Sequence, residues 1–151
     1  MAQTTWQGYL ELLRGLTKTL ERLTGVEETK TAAVSRGDLA GVEACMKQEQ
    51  ALSLSLRSVD IRRETMLRDL GLEGVSLSGL LDHAPPELRM ETKATAEGLR
   101  QQYSVFQAAS QVARNTLECN LRAIEQLQAQ RMGDDAQVKE LRNARQTDFR
   151  A

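Results

Sequence analysis

The sequence is short of aromatics, prolines, cysteines and histidines. Five aromatic residues, Trp6, Tyr9, Tyr103, Phe106 and Phe149, make up 3% of the 151. Strands draw on aromatic and β-branched side chains, so this scarcity disfavours a sheet protein. The only prolines are neighbours, Pro85 and Pro86. Cys45 and Cys119 stand far apart without metal-ligand spacing, which disfavours a disulfide framework. His83 is the lone histidine, and a metal site needs more ligands than one His and scattered cysteines supply.

Other absences narrow the function. No stretch approaches the roughly 18 to 20 consecutive apolar residues of a membrane-spanning helix. Residues 1–14 carry Glu11 and no basic region ahead of an apolar core, so no secretory signal is expected. The expected location is the cytoplasm. Lys and Arg number 20 against 21 Asp and Glu, a net charge of −1. That balance does not favour nucleic acid, and Arg62-Arg63 is a pair rather than a patch. Beside Asp82 and His83 there is no Gly-x-Ser-x-Gly nucleophile, and no Gly-rich phosphate loop occurs. No catalytic, cofactor or metal residues are assigned, no cofactor is expected, and the chain is not expected to be an enzyme.

What is present is Leu, Ala, Glu, Gln, Arg and Lys at helical spacing. From about residue 5 to 36 a seam runs Tyr9, Leu13, Leu16, Leu20, Leu23, Glu27, Lys30, Val34. Its steps alternate between four and three, a heptad rather than a strand period. Thr4 and Gln7 have capping-box spacing. Gly37-Asp38 predicts a helix stop and a new cap. A second seam, over 39–70, passes through Val42, Cys45, Glu49, Leu52, Leu56, Val59, Arg63, Met66 and Leu70, and Gly71 suits a closing C′ position. Leu77, Leu80 and Leu81 predict a short helix over 76–83. Pro86 then suits the first turn of a long helix over 87–131. Its inner face is expected to hold Leu88, Thr92, Thr95, Leu99, Tyr103, Phe106, Ser110 and Ala113 before Leu117. Gly133 is expected to interrupt it, leaving a charged tail over 133–151 in which Asp134 caps a final helix.

The expected fold is therefore all-α. An antiparallel hairpin and a third long helix form an elongated three-helix bundle over 1–132, followed by the tail. Each hairpin helix has about 32 residues, roughly 48 Å, and the third about 45, roughly 68 Å, at 1.5 Å per residue. A third helix starting level with Leu70 would pass the hairpin tip near residue 118. Leu121, Ile124 and Leu127 then form an uncovered stripe, and the expected partner site is Leu117, Leu121, Ile124 and Leu127 with Val138, Leu141 and Phe149 from the tail. Such a stripe points to a partner, a second subunit or the tail folded back, or else to the ordinary core of a curved helix. Glu27, Lys30, Glu49 and Arg63 occupy seam positions, where charges set register. The expected pairs are Glu27 with Lys47 and Arg63 with Glu11.

Order and wording resemble the FlgN family of flagellar export chaperones over about residues 5–130. A Leu-rich first helix precedes Gly37-Asp38-Leu39. Lys47-Gln48-Glu49-Gln50-Ala51-Leu52 follows, then Arg62-Arg63-Glu64-Thr65-Met66-Leu67 with Leu70-Gly71. Asn115 ahead of Leu117, Leu121, Ile124 and Leu127 is also similar. The residues after Gly133 do not match. The resemblance implies a cytoplasmic chaperone of a bacterial flagellar type III export system. Its implied clients are the hook–filament junction proteins FlgK and FlgL, held by their C-terminal regions and delivered to the export apparatus. The alternatives are a self-associating coiled coil, with the stripe closing a homodimer, and a secretion chaperone for other clients.

Overall fold

In the computed structural model, residues 4–150 are described, with side chains up to residue 145. The Thr5 hydroxyl accepts a hydrogen bond from the Gly8 amide at 3.0 Å and opens α1, Trp6–Arg36. The cap is thus Thr5, one residue later than the expected Thr4. Thr4 instead donates its hydroxyl to Asp69 at 3.0 Å. α2 is Leu39–Asp69, and α3 is Arg89–Arg150. No strand occurs among the described residues. The architecture is an all-α bundle of three long helices.

Two residues turn α1 into α2. Gly37 takes the left-handed conformation, with φ at 70°. Its amide donates to Val34 and the Asp38 amide to Ala33, which closes the last turn in a Schellman motif. The Asp38 carboxylate then accepts from the Gly41 amide at 3.0 Å and caps α2. At Gly41 a Cβ would stand 2.5 Å from the Asp38 carboxylate. Glycine there leaves the cap its room. The other end repeats the device: Gly71, with φ at 74°, donates to Arg68 while Leu72 donates to Leu67.

The chain divides into two compact units, Met1–Ala113 and Arg114–Ala151, and α3 contributes to both. In the first unit α1 and α2 pack as an antiparallel hairpin. The first turns of α3 lie beside the start of α1. The Trp6 indole N–H donates to Thr92 Oγ1 at 2.8 Å, and further along Gln102 donates to Thr24 at 3.2 Å, so the two helices run parallel. The core holds Tyr9, Leu10, Leu13, Leu20 and Leu23 of α1, with Leu67, Leu80 and Leu99. Neighbours in sequence are buried together on α1: Tyr9 with Leu10, Leu23 with Thr24, Ala33 with Val34. A single heptad seam cannot bury both members of such pairs. α1 does so because α2 and α3 contact it from different sides.

The connection between α2 and α3 is tighter than the expected helix over 76–83. Ser76 accepts from the Gly79 amide at 3.1 Å, and a 3-10 turn covers Leu80–His83. Leu80 is 1% exposed and fills the base of the core. Pro86 opens a second 3-10 turn, Pro86–Leu88, and α3 begins at Arg89.

α3 does not stop at Gly133, and Asp134 caps nothing there: the helix is continuous through both. Glycine inside a helix costs about 1 kcal/mol relative to alanine, but unlike proline it keeps its N–H and clashes with nothing. One glycine is therefore too weak a signal to end a helix.

Candidate functional site

The expected partner surface belongs to the second unit. Leu117, Leu121, Ile124, Leu127, Val138 and Leu141 all lie on α3 and are 40 to 66% exposed. The side chain of Phe149 lies outside the described residues. Among the described residues nothing covers these aliphatics. Earlier on α3 the inner face is real core, since Thr92, Thr95, Leu99 and Ala113 are buried. Tyr103 departs from it and is half exposed.

The exposed aliphatics form two rows with a spacing of seven. Leu117, Ile124, Arg131 and Val138 make one; Leu127, Asp134 and Leu141 make the other. On a straight helix each row drifts by about 20° per heptad and winds around the surface. Supercoiling against another helix brings the rows back to one face. The pattern is thus the heptad spacing of a coiled-coil seam. Arg131 and Asp134 place one charge of each sign inside it, the type of residue that sets register. Leu121 flanks the rows.

A second polar feature joins α1 to α2. Lys30 Nζ stands 2.6 Å from Glu49 Oε1 and 3.4 Å from Glu27 Oε2. All three side chains are largely withdrawn from water. The expected Glu27–Lys47 pair does not form. Lys47 stands on the exposed flank of α2, whereas Glu49 is in the seam and faces Lys30. Burial pulls the Lys30 ammonium down, but the hydrogen bond it donates to Glu49 and the two negative charges outweigh that, and its pKa is raised. Arg63 likewise ignores exposed Glu11. It bonds Asp60 one turn away at 3.0 Å and lies at the Tyr9 hydroxyl. Burial raises the Tyr9 pKa, and the Arg63 charge offsets that only in part.

His83 is exposed on its 3-10 turn, Cys45 is buried and Cys119 exposed, both as free thiols. Among the described residues no three His, Cys, Asp or Glu side chains gather as a metal site would require. No described helix is long and apolar enough to cross a membrane.

One exposed apolar row escaped the sequence reading. Leu39, Met46, Leu54 and Ile61 stand on the outer face of α2, each more than half exposed. Their spacings of seven and eight were the available signal. It was hidden because the stronger inner seam of the same helix satisfies the heptad pattern.

No family model matches this chain, and neither does any curated protein or solved structure.

Proposed function

We propose that this protein is a binding protein that captures a helical segment of a partner along the distal part of α3, and that it acts as a FlgN-like flagellar export chaperone. The observation that carries the binding role is the pair of exposed heptad rows through Leu117, Ile124 and Val138 and through Leu127 and Leu141. An amphipathic helix laid along them removes apolar surface from water at about 25 cal/mol per Å². A client that folds only on binding gives up part of that energy in ordering, which keeps its release easy.

The flagellar assignment is supported by the order of the Gly37-Asp38-Leu39, Lys47–Leu52 and Arg62–Leu67 segments. In this reading the clients are the C-terminal regions of the hook-associated proteins FlgK and FlgL. The chaperone keeps these from associating early and hands them to the export apparatus in the cytoplasm, without cofactor or chemistry of its own.

The test is a pull-down of FlgK and FlgL C-terminal segments with the full chain and with Ile124→Asp. Capture by the parent and loss in the folded variant is the expected result. Capture unchanged in Ile124→Asp removes the site. Capture of neither segment, together with a concentration-independent dimer by light scattering that Ile124→Asp dissociates, assigns the rows to a second copy of this chain instead.

A further inference from the structure

The first unit contains an apolar groove that shares no residue with the distal rows. It has a volume of ≈ 460 Å³ and is walled by α2 and α3 over α1. Leu20 and Leu99, 3% and 7% exposed, form its floor, with Leu16, Leu56 and Leu77 around them. Its rim is charged. Arg57, Arg63 and Arg100 line it against a single carboxylate, Asp60. Asp60 is already bound to Arg63 at 3.0 Å. Arg100 donates only to the neutral Ser78 hydroxyl, at 2.8 Å, and no described carboxylate pairs with Arg57. A chain of net charge −1 thus concentrates two uncompensated guanidiniums on the two sides of one apolar slot.

We infer that this groove docks an amphipathic helical segment of a partner protein that carries carboxylates beside its apolar ridge. A fourth helix lying over α1 between α2 and α3 has the setting of a four-helix bundle, with its ridge seated on leucines. The groove's size admits the apolar side chains of one or two turns. Guanidinium is the side chain best matched to carboxylate, through its planar pair of N–H donors. Arg57 on one wall and Arg100 on the other therefore select acidic flanks and repel basic ones. This surface shares no residue with the distal rows and does not depend on the chaperone assignment.

The test uses two labelled peptides of the same Leu-ridged helix, one with Glu flanks and one with Lys flanks, titrated by fluorescence anisotropy against the full chain. The Glu-flanked peptide is expected to bind about five- to tenfold more tightly, a preference that weakens with salt, as for half-exposed ion pairs. In Arg57→Glu/Arg100→Glu the preference inverts. Both residues are exposed, so the fold survives, and circular dichroism checks it. Both peptides are also titrated against Leu121→Asp/Ile124→Asp, in which the distal rows no longer compete for an amphipathic helix, and the preference for Glu flanks is expected to persist there. Equal binding of the two peptides, no binding of the Glu-flanked peptide, or loss only in the distal variant overturns the inference. So does uptake of dodecanoate without uptake of either peptide, which makes the groove a small-amphiphile site.

Discussion

Lys30 of α1 and Glu49 of α2 meet at 2.6 Å across the hairpin, and Glu27 stands 3.4 Å from the same ammonium. One cation holds two carboxylates in a mostly dry seam. Removing it leaves two carboxylates in that seam without the positive charge that offsets them. Lys30→Met is therefore expected to destabilise the protein by about 2–4 kcal/mol, slightly below the range for a fully buried pair because some water reaches the site. The triple variant Glu27→Leu/Lys30→Met/Glu49→Leu is expected to recover most of that loss, because it removes the charges together. The urea midpoint at constant m-value measures both.

Alkaline pH is expected to weaken the fold through two groups. The Lys30 pKa is raised in the folded protein, so its contribution is complete below the unfolded lysine value of about 10.4 and disappears as pH rises through the folded value. The Tyr9 pKa is also raised, chiefly by burial. The folded state keeps the phenol proton when the unfolded chain has lost it, so stability again falls as pH climbs above about 10. A melting-temperature series from pH 8 to 11.5 should decline at its upper end. Tyr9→Phe should flatten part of that decline, and a series with no difference between parent and variant contradicts the tyrosine contribution.

The Trp6–Thr92 bond ties the start of α1 to the start of α3. Thr92 is 0% exposed, and its hydroxyl accepts from the indole while donating to the Leu88 carbonyl at 2.7 Å. Thr92→Val keeps the shape and removes both bonds. A loss of about 1–2 kcal/mol is expected, with the indole N–H left without its partner. Trp6 is the only tryptophan, so its fluorescence reports the change directly.

The hairpin joint is a further point of sensitivity. Asp38→Ala removes the cap on α2 and is expected to cost about 1 kcal/mol. Gly37→Ala forces a Cβ into a left-handed position, with a cost of about 1 kcal/mol. Thermal unfolding reads both.

A core and a distal aliphatic should respond differently. Leu13→Ala, at a fully buried site, is expected to lose about 2–5 kcal/mol. Ile124→Asp, about half exposed, is expected to stay within about 0.5 kcal/mol of the parent. A large loss in Ile124→Asp would mean that the residue is buried in solution, and a concentration-dependent melting temperature would trace this to a second chain.

The helical class was legible because its signals are local. Few aromatics, a paired proline and alternating steps of three and four need no tertiary knowledge. Gly37-Asp38 and Gly71-Leu72 could be read as stops because each carries its own hydrogen bonds within a few residues. Gly133-Asp134 repeats the Gly37-Asp38 dipeptide, yet α3 runs through it, because a glycine costs a helix about 1 kcal/mol without forcing it to end. The distal aliphatics were visible as a stripe, and their exposure is a property of the folded chain.

The sequence by itself determined the helices, the turns between the first two and the seam each presents, since periodicity and capping act over one to two turns. Only the tertiary structure decided which charges pair and how wide the buried face of α1 is. Lys30 takes Glu49 rather than leaving Glu27 to Lys47 because seam positions meet seam positions when two helices dock. Leu10, Thr24 and Ala33 are buried because α1 has neighbours on two sides. The arginine-rimmed slot over Leu20 and Leu99 exists only once three helices are assembled, and no one segment of the chain carries its pattern.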